Sequence, residues 1–92
     1  MIYIIAYDIN EYLRDYTHLK NAIMVQGDWQ HPMDSVWFVR SDKSTADIAE
    51  VIKRYIDQRH DHLFVTPLSE APSAGWMQKA FWRWMKKQEQ ET

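Results

Sequence analysis

Apolar positions along the chain fall into short blocks with two different periods. Residues 2–8, Ile-Tyr-Ile-Ile-Ala-Tyr-Asp, form an unbroken and partly β-branched run, which reads as a strand covered on both faces. Asp8, Ile9 and Asn10 end it. Tyr12, Tyr16, Leu19 and Ile23 then recur at i, i+4, i+7 and i+11, the spacing of one helical face, so a helix is predicted over 12–24. Gly27 is placed to stop that helix. Pro32 interrupts the stretch from Asp28 to Met33, where only short or bulged extended structure fits. Residues 34–40, Asp-Ser-Val-Trp-Phe-Val-Arg, read as a strand.

In the second half, Ser44 followed by Asp47 resembles a capping box with Asp in place of Glu. The helix it opens sets Ile48, Val51, Ile52, Tyr55 and Ile56 on one stripe. Residues 62–66 form a last strand closed by Pro67, and the Ser69–Gly75 loop leads to a third amphipathic helix over 74–87. Its predicted apolar face is Met77, Ala80, Phe81, Trp84 and Met85.

With a short strand supplied by Gln26–His31, the order becomes βαββαβ, the split βαβ or ferredoxin-like α+β arrangement. The expected organisation is a single domain over 1–92, with a core at 1–68 and a C-terminal helical extension at 74–87. Such a sheet packs its two helices on one face, yet both faces of these strands are apolar: Ile2, Ile4 and Ala6 alternate with Tyr3, Ile5 and Tyr7. A second copy of the sheet or the terminal helix has to cover the other face, and a homodimer is expected.

Composition sharpens this picture. The 92 residues contain five Trp and five Tyr, more than so small a core hides easily, which points to a buried interface. No apolar run approaches the ~20 residues of a membrane span, and the first strand lacks the basic flank of a signal peptide. The absence of cysteine removes disulfides, thiolate metal sites and a cysteine nucleophile, and suits a cytoplasmic protein. The net charge of −2 argues against a general nucleic-acid coat protein. It is unevenly spread, however: residues 1–75 hold seven basic and eleven acidic groups, whereas residues 76–87 hold four basic groups and no acidic one.

Four places could carry chemistry. Asp8 ends an apolar strand; two such carboxylates from a two-fold pair could hold a divalent cation such as Mg2+ through oxygen ligands, or Asp8 could simply cap the turn with Asn10. His31, beside Trp29 and Pro32, offers a general acid or base that titrates near neutrality, or a loop histidine satisfied by backbone. His60-Asp61-His62 offers two imidazoles on one side of a strand, or a polar turn into the last strand. On the terminal helix, Lys79, Arg83 and Lys86 lie opposite the apolar face with Trp82 at their edge. Such a surface contacts phosphates and stacks a base, or is a solvated face favoured by the helix C-terminus. There is no Gly-rich phosphate loop, GxSxG or HExxH, which disfavours nucleotide-fuelled and triad chemistry.

The opening strand through Asp8-Ile9 resembles the small CRISPR-associated integration-scaffold and endoribonuclease family, together with its virulence-associated protein D relatives. The Gly27…Ser35-Val36-Trp37-Phe38 segment looks like that family's second signature. Closer still are short bacterial and phage proteins termed SinR-like, which share the elements seen here as Gly27, Trp29, His31, Asp34, Ser35 and Trp37. The resemblance covers residues 1–68. It implies a ferredoxin-like homodimer, in some members a divalent-metal nuclease with paired aspartates, and the position it carries over is Asp8. This chain departs from the pattern in being acidic outside its terminal helix and in placing Trp37 before Phe38. Two functions follow as expectations. One is a dimeric interaction module binding a protein or nucleic-acid partner. The other is a Mg2+-dependent nuclease of toxin type, cleaving RNA or DNA at paired Asp8 carboxylates.

Overall fold

The computed structural model describes residues 1–9, 16–69 and 72–90. In chain order they form β1 (Ile2–Asp8), α1 (Thr17–Met24), β2 (Asp28–Met33), β3 (Val36–Arg40), α2 (Thr45–Ile52), a 3-10 turn (Lys53–Tyr55), β4 (His62–Pro67) and α3 (Lys79–Gln90). The four strands make one antiparallel sheet in the order β2-β3-β1-β4. This is the expected ferredoxin-like α+β arrangement, with an added terminal helix.

Strand alternation sorts the side chains into two cores. On one face Tyr3, Ile5, Trp37 and Val39 pack with Leu19 and Ile23 of α1 and Ile48 and Ile52 of α2. On the other, Phe38 packs with Phe81, Trp84 and Met85 of α3, and Ile2, Ile4, Val36 and Leu68 close around them. The chain's own terminal helix therefore covers much of the second apolar face, which removes bare strand surface as the main reason to dimerise. Phe64 of β4 nevertheless stays 65% exposed, and Trp76, in the irregular 72–78 segment before α3, is 99% exposed.

Several boundaries move, each for a local reason. α1 is seen from Thr17, and the part of its predicted span at 12–15, with Tyr12, lies outside the described residues. The short second strand runs two residues later than Gln26–His31, because Gln26 is buried and tied back: its Nε2 donates to the Ala22 carbonyl (2.9 Å) and its Oε1 accepts from Lys43 Nζ (3.0 Å). Pro32 sits inside β2 where the register with β3 shifts between Gln30 and Met33, as a residue without an N–H requires. Asp34 and Ser35 form the turn rather than strand. Ser35 adopts φ 62°, and its carbonyl accepts from the Tyr7 N–H (3.1 Å).

Gly27 does not stop α1 through a left-handed conformation, since its φ is not positive. The requirement is close approach: a β-carbon there would lie 1.8 Å from the Arg40 carbonyl oxygen. Ser44 caps α2 as predicted, its Oγ accepting from the Asp47 N–H (3.1 Å). Tyr55 leaves the α2 stripe because the helix tightens into the 3-10 turn before reaching it. α3 begins at Lys79 and not at 74, leaving Trp76 and Met77 outside it. Ala80 is exposed, and Gln88 takes the place on the buried face, 1% exposed.

Candidate functional site

The sequence-predicted residues divide among the sheet, with Asp8 at the end of β1 and His31 on β2, the turn into β4, and the outward side of α3. Asp8 is exposed at the C-terminal end of that strand, level with His62 of β4 in the ladder. Its neighbour Tyr7 is anchored on the other face, where its Oη accepts from Trp37 Nε1 (3.2 Å). Alternation sets Asp8 on the same side as Ala6 and Phe64, whereas His31 lies against Trp37 on the opposite side. The two do not converge on one substrate position within a single chain. Among the described residues no three His, Cys, Asp or Glu side chains are grouped as metal ligands.

His31 is part of an aromatic stack. Its ring lies parallel on Trp37 at 3.8 Å and 10°, while Trp29 tilts against Trp37 at 5.2 Å. His31 Nε2 is buried and has no hydrogen-bond partner among the described residues. Burial first, then the charge of Lys20, hold the imidazole below its ordinary pKa of 6.5, against a weaker opposite pull from Asp34. The neutral form of the ring is favoured by that burial, and Nε2 is the enclosed nitrogen.

The His60-Asp61-His62 segment forms the polar turn. His60 Nδ1 bonds Asp57 Oδ2 (2.9 Å), Asp61 is buried with Oδ2 accepting from the Asp57 N–H (2.7 Å), and only His62 enters the strand. The Asp57 carboxyl is drawn down to about 2, chiefly by that His60 bond and then by the Arg59 N–H. His60 is raised in return.

The remaining region is α3. Lys79, Arg83, Lys86 and Lys87 are all exposed, with Lys79 and Arg83 one turn apart on the same side. Trp82 is half-buried at their edge, meeting Phe81 edge-to-face at 5.2 Å, and Phe81 meets Phe38 the same way at 4.8 Å. The buried aromatics fix the rotation of the helix, so the four cations point outward together.

Alongside this surface runs a groove of about 910 Å³ between α3, the start of β1 and the end of β3, lined among others by Ile2, Arg40, Trp82, Met85, Lys86 and Gln88. Gln88 Nε2 donates to Asp28 Oδ2 (3.1 Å), while its buried Oε1 has no partner among the described residues. Arg40 and Gln88 escaped sequence reasoning. Gln88 had a usable signal, since it stands four residues after Trp84 and seven after Phe81 on the buried stripe. Arg40 had none, because only the tertiary fold brings it beside α3. The groove begins at Ile2, and Asp8 is six residues further along β1, about 20 Å away.

No protein-family model matches this sequence, and no curated protein matches it. Solved structures do. The hypothetical protein TT1823 from Thermus thermophilus superposes with a TM-score of 0.62 at 23% identity, over 84% of this chain and 93% of that one. The CRISPR-associated protein Cas2 of Streptococcus pyogenes superposes with a TM-score of 0.60 at 19% identity, over 82% of this chain and 100% of that one. The chain therefore has a Cas2-like ferredoxin fold. No helix of the described residues is long and apolar enough to cross a membrane.

Proposed function

We propose that this chain is a homodimeric binding module of the SinR-like kind, which holds a single strand of nucleic acid along the outward face of α3. One observation carries this reading: Lys79, Arg83, Lys86 and Lys87 are exposed together on a helix with no acidic residue before Glu89, in a chain that is otherwise acidic. Clustered cations that neutralise phosphates release counterions, and a half-buried Trp at the edge offers a base a stacking surface. Binding should weaken steeply with salt. Three neutralised phosphates on a single strand give a slope of about −2 in log K against log salt. The test is fluorescence anisotropy with a single-stranded RNA twelve-mer over a salt series. The Lys79→Glu/Arg83→Glu pair is expected to weaken binding at least about a hundredfold, at roughly 1.4 kcal/mol for each lost charge-assisted contact. Affinity unchanged by the pair would overturn the reading.

A second reading has one observation in its favour. Asp8 is exposed on the same side of the sheet as the exposed Phe64, in the next register pair but one. A two-fold axis through Phe64 would set two Asp8 carboxylates near each other and bring together oxygen donors from both chains. A bound Mg2+ ion would then act as a Lewis acid in strand cleavage. Purified dimer should cleave RNA or DNA with Mg2+ or Mn2+ and lose that activity in Asp8→Asn. Absence of cleavage, or cleavage indifferent to the substitution, removes the nuclease.

A further inference from the structure

We propose that the groove beside α3 is a nucleotide subsite. It would take the base of a nucleoside monophosphate, one bearing an exocyclic amino group, against Trp82, with the phosphate between Arg40 and Lys86. The inference rests on the strand-binding reading above and names the unit of the strand that is recognised.

Three properties of the groove select this chemistry. Its volume, about 910 Å³, is in the range of small-ligand sites. Its apolar wall includes Ile2, Met85 and the half-buried Trp82, a planar surface whose orientation is fixed by Phe81. Every base has a π-face, so a fixed Trp favours a planar ligand over a flexible one. Among its described lining residues are two cationic side chains, Arg40 and Lys86, and one carboxylate, Glu89, and Arg83 and Lys79 continue the positive stripe along the same helix. An apolar plane beside cations fits a ligand with an aromatic body and an anionic end.

Gln88 adds the specificity. It stands on the groove wall, 1% exposed, with Nε2 committed to Asp28 and Oε1 unmet by any described residue. A buried acceptor without a donor costs about 1–3 kcal/mol, and an exocyclic amine is a donor of the right kind. An acidic peptide would satisfy the cations but would leave the flat apolar wall without a matching plane.

The experiment titrates isotope-labelled full-length protein with AMP, with purine riboside 5′-monophosphate (the same ligand without its amino group), with an oligoadenylate twelve-mer and with hexaglutamate, followed by NMR. AMP is expected to shift the Trp82 indole, the Met85 methyl and the Gln88 side-chain amide. The analogue without the amino group should bind about tenfold more weakly, the worth of one hydrogen bond. Ser73→Trp, which adds a ring to the groove from an exposed lining position, should abolish these shifts, and Gln88→Met should level the two nucleotides. Shifts with both AMP and the oligomer assign the subsite to a strand; shifts with AMP alone assign it to the free nucleotide. If the twelve-mer binds through Lys79 and Arg83 while neither ligand moves the groove signals, the subsite is overturned and the basic-face reading stands. If AMP moves them but the Lys79→Glu/Arg83→Glu pair leaves oligomer affinity intact, the subsite stands and the basic-face reading falls. Hexaglutamate moving the groove signals as strongly as AMP also overturns the subsite.

Discussion

His31 and His60 work on stability in opposite directions. Burial and Lys20 hold His31 below 6.5 in the folded chain, so the unfolded chain takes up the proton first. Its share of stability is present above 6.5 and is lost as pH falls through that value towards the folded pKa. His60, raised by Asp57, contributes fully below 6.5 and loses its share as pH rises through its folded pKa. Acidification from neutrality to about pH 5 therefore removes the His31 share while restoring that of His60, and the melting temperature of His31→Gln should fall less, or rise more, over this acid limb than that of the parent chain. A thermal-melt series across this range checks it, and an unaltered acid limb in the variant refutes it. Neither environment was legible in the sequence. The stack of His31 on Trp37 depends on β2 and β3 pairing across an irregular register, and the Asp57–His60 bond depends on the shape of one turn.

Among the elements, β1, β4 and the capped start of α2 were readable because each rests on a local rule: an unbroken apolar run, a run closed by Pro67, and a serine whose Oγ meets the third N–H after it. The ends of β2 and α3 were not, because competing contacts decide them: Gln26 bonds back to α1, and Met77 packs below the sheet without helical backbone. The cationic side of α3 was legible from spacing, and the groove beside it was not, since it needs β1, β3 and α3 together. α3 holds its place through Phe81, buried between Phe38 and Trp82. Phe81→Ala removes that anchor at about 3 kcal/mol. The expected outcome is release of α3, seen as loss of helical signal before the main unfolding transition, with the bared face of Phe38 binding a hydrophobic dye. One cooperative transition without dye binding would show that the helix is held by other means.

At the scale of the whole molecule, α3 covers much of the face that most needed a second copy, and the exposed apolar side chains that remain include Phe64 on the outer strand β4 and Trp76 on the segment leading into α3, besides Met1, Val25 and Met33. The proposed homodimer rests on Phe64 and Trp76. Sedimentation over a dilution series should show a two-to-one equilibrium, and Phe64→Glu should shift it to single chains without lowering their melting temperature, because the side chain is solvent-exposed in the lone subunit. A single chain at every concentration would refute the pairing.

The proline within β2 bears on how far such association can run. One margin of the sheet is β4, paired to β1 in unbroken register, while the opposite margin is interrupted where Pro32 lacks a donor and the ladder slips. A sheet that can be joined along one border alone accepts a single neighbour and then has nothing left to offer the next. Should the proposed pair form along that border, growth would end there, because the opposite margin offers no regular edge on which a fibre could extend.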